Sequence, residues 1–183
     1  MGGGSTGLGV ALDAVLRGYR VLLLEQADFA KGTSSRSTKM VHGGVRYLAQ
    51  GEVFLVLETL KERGILLKKA HFISQAKTLE AIPTVKKEGL KGGVVYQDGQ
   101  FDDARLALTV AQTIADKGGT ILNYIGVTGL LKDEAGKVIG VSAKDRESGT
   151  SYQIKGKAVI NATGVFADDL LKMDKPQART MIR

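Results

Sequence analysis

Apolar side chains recur at helical spacing in five stretches of the chain, and shorter apolar runs lie between them. In the first stretch, Leu8, Ala11 and Val15 share one face, and Gly18 follows the last turn. The pattern predicts helices over residues 6–17, 52–70, 76–81, 102–117 and 166–173, the fourth of them capped by Asp102 or Asp103.

The shorter apolar runs predict strands. They cover residues 20–25, 92–96, 120–125, 127–131, 137–143 and 151–154, and a further buried strand at 158–162 leads into a turn of small residues. Tight turns rich in Asp, Glu and Gly join the strands between residues 120 and 154. The order of elements predicts an α/β protein in which a parallel sheet is accompanied by a β-meander.

Glycines surround the start of the first predicted helix. Gly2, Gly4 and Gly7 fit the pattern G-x-G-x-x-G, and Glu25 ends the strand that follows the helix. In a dinucleotide site such glycines allow a tight turn, the amino end of the helix faces a pyrophosphate, and an acid about twenty residues on accepts hydrogen bonds from ribose hydroxyls. The alternative is a flexible start to the chain. Only Met1 stands where an apolar strand is expected before the fingerprint, which predicts a piece of something longer or a missing first strand.

A second strand-turn-helix transition occurs near the carboxyl-terminal end. The predicted strand at 158–162 runs directly into Thr163 and Gly164, and the last predicted helix begins at once. The arrangement predicts that these two residues lie beside a cofactor phosphate or ribose. An ordinary strand exit that binds nothing is the alternative.

Residues 32–47 form a segment that is too polar for a core and rich in hydrogen-bonding groups. Its hydroxyls and cations belong to Thr33, Ser34, Ser35, Ser37, Thr38, Arg36, Lys39 and Arg46. Gly43 and Gly44 would let a flat ligand approach the backbone closely. The segment predicts contact with a cofactor that carries both phosphate and a ring system; the alternative is a solvated Ser/Thr loop.

Composition narrows the classes of protein that fit. The 183 residues are 43% hydrophobic and 25% charged, as in a globular domain, and contain no cysteine and two histidines. Disulfides, thiolate metal sites and cysteinyl-flavin links are therefore excluded, and a histidine-built metal site is not expected. The net charge of +7 indicates anionic partners. Nucleic acid is not expected among them, because tryptophan is absent and the basic residues are scattered.

These stretches together resemble the FAD-dependent glycerol-3-phosphate dehydrogenases and the related glycerol-3-phosphate oxidases. The glycine fingerprint and the Asn-Ala-Thr-Gly turn occur in many flavoproteins, whereas Gly-Thr-Ser-Ser-Arg-Ser-Thr-Lys followed by His-Gly-Gly-Val-Arg-Tyr is far more specific. The resemblance implies an α/β fold: a Rossmann-like FAD-binding domain, with parallel sheet and β-meander, and a reduced substrate lobe. The matching segments are residues 2–7, 11–14, 32–39, 42–48, 61–63, 99–105, 159–164 and 172–174.

The resemblance implies FAD as the cofactor and a set of residues that contact it. The fingerprint glycines would hold the pyrophosphate, Glu25 the adenosine ribose, and residues 33–44 the ribityl chain and the ring. Val127 would meet the adenine through its backbone, and the turn at 163–164 would close over the cofactor from the other side. The full set is Gly2, Gly4, Gly7, Glu25, Thr33, Ser34, Ser35, Lys39, His42, Gly43, Gly44, Val127, Thr163 and Gly164.

The reaction implied by the resemblance is oxidation of sn-glycerol 3-phosphate to dihydroxyacetone phosphate, with FAD as hydride acceptor and quinone as electron sink. Arg46 and Tyr47 match family residues that face the substrate; the alternatives are a surface ion pair and a half-buried aromatic. His42 is the candidate catalytic base, because imidazole titrates near neutral pH. A histidine that only hydrogen-bonds flavin or backbone is the alternative.

Three segments are expected along the chain. Residues 1–70 would form the first part of the FAD-binding domain, 71–100 a remnant of the substrate or cap lobe, and 101–183 the second part of the FAD-binding domain with the meander. The family carries a much longer stretch between Ala70 and about Ser74, and continues past Asp174 through most of its substrate domain. These departures put autonomous turnover in doubt.

The expected partners are glycerol 3-phosphate and a quinone acceptor, with an anionic membrane surface and a homo-oligomer left open. The expected location is the cytoplasm, or the periphery of the inner face of a membrane. Two other functions stay open: a glycerol-3-phosphate oxidase that uses oxygen, and a non-catalytic FAD- or nucleotide-binding module.

Overall fold

The structure is a computed structural model, and it describes residues 1–41, 61, 71–95 and 99–181. The chain divides into two compact units, one of Met1–Ser37 with Asp102–Arg183 and the other of Thr38–Phe101. In chain order the described elements are α1 (Ser5–Leu16), β1 (Leu22–Leu24), β2 (Met40–Val41), β3 (His71–Ser74), α2 (Gln75–Ala81), β4 (Gly92–Val95), β5 (Gly99–Gln100), α3 (Asp103–Asp116), β6 (Thr120–Leu122), β7 (Ile125–Lys132), β8 (Val138–Asp145), β9 (Ser151–Lys155) and α4 (Ala167–Asp174).

The core of the first unit lies where α1 and α3 pack against each other and against β1. The Asp102 side chain caps α3 by accepting a hydrogen bond of 3.0 Å from the amide of Arg105. Both helices present small or aliphatic residues on one stripe, which confirms the spacing seen in the sequence. The buried cluster consists of Leu8, Ala11, Leu23, Ala30, Ala107, Ala111 and Ile114.

The strands of the first unit form a parallel pair and an antiparallel meander. β1 and β6 pair in parallel, with Leu23 opposite Ile121, and are shorter than the runs predicted at 20–25 and 120–125. β7, β8 and β9 form a three-stranded antiparallel sheet in which β8 is central. The meander buries Val141 and Ala143 against Leu24 of β1. The predicted α/β fold with a parallel pairing and a β-meander is confirmed.

Residues 158–162 do not form the buried strand that their sequence predicts. Ile160 is 52% exposed, and no strand is assigned to this segment. Its backbone instead meets the start of the chain: the Met1 amino group donates to the Ile160 carbonyl (2.8 Å) and the Ala162 amide donates to the Met1 carbonyl (2.9 Å). Two hydrogen bonds to one residue are too few to build a ladder. The helix predicted next is confirmed as α4, after a 3₁₀ turn over Gly164–Phe166.

The second unit contains two small antiparallel pairs. β3 pairs with β4, and β2 with β5. The strand predicted at 92–96 and the helix predicted at 76–81 are confirmed as β4 and α2, and α2 is capped by Ser74, whose hydroxyl accepts from the Lys77 amide at 3.4 Å. β2, β3 and β5 were not expected. The helix predicted over residues 52–70 falls outside the described residues apart from residue 61, which is helical.

Candidate functional site

The first residues of the chain form a turn between β1 and the segment around Ala162. The Gly2 amide donates to the Leu24 carbonyl at 2.9 Å, while Met1 is bonded to Ile160 and Ala162 on the other side. Gly2 has φ of +99°, a conformation that side chains with a β-carbon rarely adopt. A β-carbon at Gly2 would also strike the Ala162 carbonyl oxygen. The turn therefore needs glycine at this position.

Gly7 allows α1 to lie directly on this turn. A β-carbon at Gly7 would run into the carbonyl oxygen of Gly2, and would touch the Ala162 side chain at 3.4 Å. The third glycine of the fingerprint thus serves packing within the protein, as the dinucleotide fingerprint requires. It brings the amino end of the helix close to the turn.

The amino end of α1 keeps unpaired hydrogen-bond donors. Gly4 is the N-cap residue and has no side chain to cap with, and the Ser5 amide donates to the Ser34 hydroxyl at 2.8 Å. Within the part of the chain that the structure describes, no hydrogen bond is formed by the amides of Gly4 and Thr6. A twelve-residue helix carries partial positive charge at this end, so the two donors favour an anion.

Glu25 follows β1 and fixes the shape of the turn through both carboxylate oxygens. Oε2 accepts from the Gly3 amide at 2.6 Å, and Oε1 accepts from the Ala27 amide at 2.8 Å. A carboxylate can accept about four hydrogen bonds, so both oxygens retain acceptor capacity. Glu25 can hold the turn and still accept from a hydroxyl of a ligand.

The loop after β1 brings hydroxyls and cations to the same place. Thr33 and Ser34 lie in a 3₁₀ turn, and the Ser34 hydroxyl bridges to Ser5 at the start of α1. The end of the loop is fastened to α3, because the buried carboxylate of Asp103 accepts from both the amide (3.0 Å) and the hydroxyl (2.8 Å) of Ser37. Asp103 is 4% exposed, so these bonds are shielded from water.

Thr163 is held by the asparagine two residues before it. Asn161 Oδ1 accepts from the Thr163 hydroxyl at 2.7 Å and from its amide at 3.2 Å, and Asn161 Nδ2 donates to the Ala167 carbonyl at 3.0 Å. Gly164 has φ of +55° and begins the 3₁₀ turn that leads to α4. The Asn-Ala-Thr-Gly sequence thus forms a turn that is stabilised by hydrogen bonds of its own Asn161 side chain and leads directly into α4.

These parts surround one cavity of about 800 Å³, all of it within the first unit. Of the sequence-predicted residues, those that line it are Gly2, Gly4, Glu25, Thr33, Ser34, Val127 and Thr163. Gly7, Ser35 and Gly164 adjoin lining residues without lining it themselves. Lys39 lies in the second unit, where its carbonyl accepts from the Phe101 amide. His42, Gly43, Gly44, Arg46 and Tyr47 lie outside the described residues.

The cavity also has walls that the sequence did not single out. Arg146, at the end of β8, donates to Gln26 Oε1 at 2.8 Å. Neither residue stands in a glycine or hydroxyl motif, so local pattern gave no signal for them; the sole hint was that Gln26 follows Glu25. Gly32 and Arg36 also line the cavity and belong to the polar segment 32–47 that the sequence assigned to the cofactor. The lining residues that the sequence did not predict are, besides Gln26 and Arg146, Met1, Leu24, Ala27, Lys31, Ile125, Ala162, Val165, Phe166, Asp169, Leu170 and Met173.

A model of the FAD dependent oxidoreductases matches residues 1–73 and 57–183, and so takes in the whole chain. The chain belongs to this family. Among its relatives, the mitochondrial glycerol-3-phosphate dehydrogenase of Saccharomyces cerevisiae is 39% identical and the aerobic glycerol-3-phosphate dehydrogenase of Staphylococcus haemolyticus 37% identical. The alignments cover 96% and 100% of this chain. These relatives confirm the resemblance inferred from the sequence.

A solved structure supports the same membership within the FAD dependent oxidoreductases. The chain aligns with glycerol-3-phosphate dehydrogenase from Bacillus halodurans, solved in complex with FAD, at a TM-score of 0.66 and 38% identity. The match covers 95% of this chain and 35% of that one. At this coverage, most of the elements described above have counterparts in that flavoprotein.

The chain spans about a third to two fifths of the length of these relatives, since it covers 34% of the yeast protein and 41% of the staphylococcal one. This chain also lacks residues that are present within the aligned region of the relatives. The staphylococcal alignment runs over 226 residues and takes in all 183 of this chain, so about 43 aligned positions have no counterpart here.

Two other kinds of site were sought among the described residues. The helices there are too short or too polar to cross a membrane. The same part of the chain holds no group of three or more His, Cys, Asp or Glu side chains placed to bind a metal ion.

Proposed function

We propose that this chain binds FAD and forms the cofactor-binding part of an enzyme that oxidises sn-glycerol 3-phosphate to dihydroxyacetone phosphate. The observation that carries the proposal is the convergence, on one cavity, of Gly4, whose amide is unbonded among the described residues, with Glu25 and Thr163. Family membership and the glycerol-3-phosphate dehydrogenases among the relatives support the choice of cofactor and substrate.

The residues present fit the ADP part of FAD. A pyrophosphate at the amino end of α1 would pair with the unbonded amides of Gly4 and Thr6 and interact with the helix dipole. A side chain at residue 4 would fill this space, since its β-carbon would lie 2.9 Å from the Ser34 hydroxyl. Glu25 has acceptor capacity left for ribose hydroxyls. Val127 of β7 would meet the adenine.

The remaining cofactor contacts are assigned to the polar segment that follows. Thr33, Ser34 and Ser35 would donate to the ribityl chain and phosphates, and Thr163 and Gly164 would close the site opposite them. Lys39, His42, Gly43 and Gly44 are assigned to the flavin end, where glycine allows a planar ring to approach the backbone.

Arg46 and Tyr47 are assigned to the substrate. Arginine stays charged and forks onto oxyanions, so Arg46 suits the substrate phosphate. His42 is assigned as the base that takes the proton from the C2 hydroxyl, because imidazole accepts protons near neutral pH. When bound, FAD supplies hydride acceptance, and these residues hold the substrate against it.

A quinone is proposed as the electron acceptor and glycerol 3-phosphate as the substrate. The net charge of +7 favours an anionic phosphorylated substrate, and it equally favours contact with an anionic membrane surface from the cytoplasmic side. A peripheral location of this kind would bring the protein to a quinone pool. Release of peroxide in air on adding glycerol 3-phosphate would point to an oxidase instead.

A second function is favoured by the internal difference from the relatives. About 43 aligned positions are missing here, and we place this gap between Ala70 and Ser74, in the substrate lobe. A chain without that stretch can keep the nucleotide site and lose the substrate site. The alternative is therefore a non-catalytic FAD-binding module.

The test is a titration of the purified full chain with FAD, followed by anaerobic addition of glycerol 3-phosphate. The proposed enzyme binds FAD, shows the visible absorption of oxidised flavin and is bleached by substrate. The non-catalytic module binds FAD and is not bleached. A chain that retains no flavin even with excess FAD would overturn both.

A charge-matched pair of variants tests the role of Glu25. Glu25→Gln keeps the shape of the side chain but weakens the acceptor that holds Gly3 and faces the ribose, so FAD affinity should fall about 10-fold, equal to 1.4 kcal/mol. Glu134→Gln, an exposed change in the turn after β7, removes the same charge and should leave the dissociation constant unchanged. Equal affinities for both variants would remove Glu25 from the site.

A further inference from the structure

Arg146 occupies a defined place in the cavity wall. It follows β8, and its amide donates to the Tyr124 carbonyl at 2.9 Å, which fixes the backbone. Its guanidinium reaches across to Gln26 and donates to Oε1 at 2.8 Å, linking residues 120 positions apart. Arg146 is exposed, but its backbone and its guanidinium are both held by hydrogen bonds. The side chain is therefore preorganised, because binding a ligand would cost less side-chain conformational entropy.

The guanidinium lies over a glycine. A β-carbon at Gly126 would stand 3.2 Å from Arg146 Nε and 3.7 Å from one terminal nitrogen. The missing side chain at residue 126 therefore gives the guanidinium room to lie against the backbone of β7. A β-carbon there would require the guanidinium to shift by a few tenths of an ångström.

A chain of contacts runs from the helix terminus to Arg146. The turn that carries the free amide of Gly4 is bonded through Gly3 to Glu25, Gln26 is next in sequence, and Gln26 accepts from Arg146. From the helix terminus outwards, the groups along this path are the anion site at Gly4, the hydrogen-bond acceptor Glu25, the side-chain amide of Gln26 and the guanidinium of Arg146. An adenosine diphosphate moiety has its groups in the same order, from phosphate through ribose to base.

We propose that Arg146, held by Gln26 and seated on Gly126, is the stacking surface for the adenine of the cofactor. This inference rests on the proposed function. The planar guanidinium stacks on aromatic faces and attracts their π-electrons. One of its five N–H groups donates to Gln26. This bond orients the plane of the guanidinium and leaves its face available for stacking. Gln26 is a positioning residue, since it acts through Arg146.

The experiment uses the purified full chain and three ligands: FAD, ADP and inorganic pyrophosphate. Binding of FAD is measured by quenching of flavin fluorescence, and the other two by competition with FAD. Arg146→Ala should weaken FAD and ADP about 5- to 20-fold, as expected for loss of a cation–π contact, and leave pyrophosphate unchanged. Gln26→Ala should produce a smaller loss in the same two ligands.

Lys144→Ala is the matched control. Lys144 lies on β8, opposite Gly126, is exposed, and its loss removes the same charge two residues away. It should bind all three ligands as the unaltered chain does.

Two outcomes overturn the proposal while leaving the proposed function standing: FAD and ADP affinities equal to those of the unaltered chain in Arg146→Ala, or a loss for pyrophosphate as large as that for ADP, which would place Arg146 on the phosphates. Failure of the unaltered chain to bind either nucleotide overturns the proposed function as well.

Discussion

At the scale of single residues, the glycines of the opening turn have different tasks. Gly2 is needed for its backbone conformation, Gly7 for the close approach of α1, and Gly4 for the open space before the free amides. Gly9 lies on the same helix and would meet nothing within 4 Å if it carried a β-carbon. A β-carbon at each of the three fingerprint glycines would therefore meet another group closely, whereas one at Gly9, which lies outside the fingerprint, would meet none.

A pair of alanine substitutions tests this difference. Gly7→Ala places a methyl group against the Gly2 carbonyl and should lower the free energy of unfolding by about 1–3 kcal/mol, as overpacking does. Gly9→Ala should raise it by about 0.5–1 kcal/mol, because alanine has the higher helix propensity. Urea denaturation followed by circular dichroism measures both. If both variants were stabilised, α1 would not be in close contact with the Gly2 carbonyl at residue 7.

At the scale of elements, adjacent aspartates at the start of α3 do different work. Asp102 caps the helix, and the buried carboxylate of Asp103 fixes the loop that carries Ser34 by bonding to Ser37. A cap is worth about 1 kcal/mol, whereas removing the buried carboxylate takes a charged acceptor away from both the amide and the hydroxyl of Ser37.

Alanine at each of the two positions measures the difference. Asp103→Ala should lower the free energy of unfolding by about 2–3 kcal/mol, because the Ser37 amide and hydroxyl lose a charged acceptor. Asp102→Ala should cost about 1 kcal/mol. The comparison uses chemical denaturation at neutral pH. A larger loss for Asp102→Ala would mean that the loop does not depend on this bond.

The end of α4 is tied to the end of β7 by an ion pair. Lys132 Nζ lies 2.8 Å from Asp174 Oδ1, and it also donates to the Asp174 carbonyl at 2.8 Å. The hydrogen bond from Lys132 is the main cause that lowers the pKa of Asp174. Because the folded pKa lies below the unfolded one, the pair stabilises the fold above the unfolded value of about 3.9, and its contribution is lost as the pH falls through the folded pKa.

The decrease in stability at acidic pH should therefore depend partly on the ion pair between Lys132 and Asp174. Asp174→Asn should flatten the fall in melting temperature between pH 5 and pH 3, roughly the window set by the unfolded pKa and a lower folded one. Asp116→Asn, at the exposed end of α3, removes one carboxylate elsewhere and serves as the control. A decrease at acidic pH that is unchanged in Asp174→Asn would show that the ion pair is not populated in solution.

The sequence predicted those helices and strands that depend on the spacing of apolar residues and on turn residues within the element itself. The long amphipathic helices α1 and α3 follow from apolar spacing, and the meander follows from tight turns between short runs. The strand at 158–162 failed because an apolar run becomes a strand only if a neighbour is available to pair with. The two-residue pairing of β2 with β5 carries no periodicity at all. Arg146 and Asp103 act through contacts with distant residues, which no local pattern encodes.

At the scale of the whole molecule, the ligand would connect distant parts of the first unit. The cavity is lined by the opening turn, the loop after β1, the meander and α4. A cofactor that binds the folded form alone adds stability as its concentration exceeds the dissociation constant.

FAD at 100 times its dissociation constant should raise the free energy of unfolding by about 2.7 kcal/mol. The measurement is the melting temperature followed by circular dichroism at increasing FAD. Riboflavin is the control, because it lacks the ADP part that the described residues fit, and should give a much smaller shift. Equal shifts from the two compounds would contradict the assignment of the cavity to the ADP part.

The hydrogen bond between Met1 and Ile160 joins residues 159 positions apart. Protein synthesis at roughly 5–20 residues per second needs about 8–30 s to cover that distance. During this interval the opening glycines have been synthesised, while the Asn-Ala-Thr-Gly turn does not yet exist. A cavity lined by both the opening turn and Thr163 can therefore be complete only after residue 163 has been synthesised.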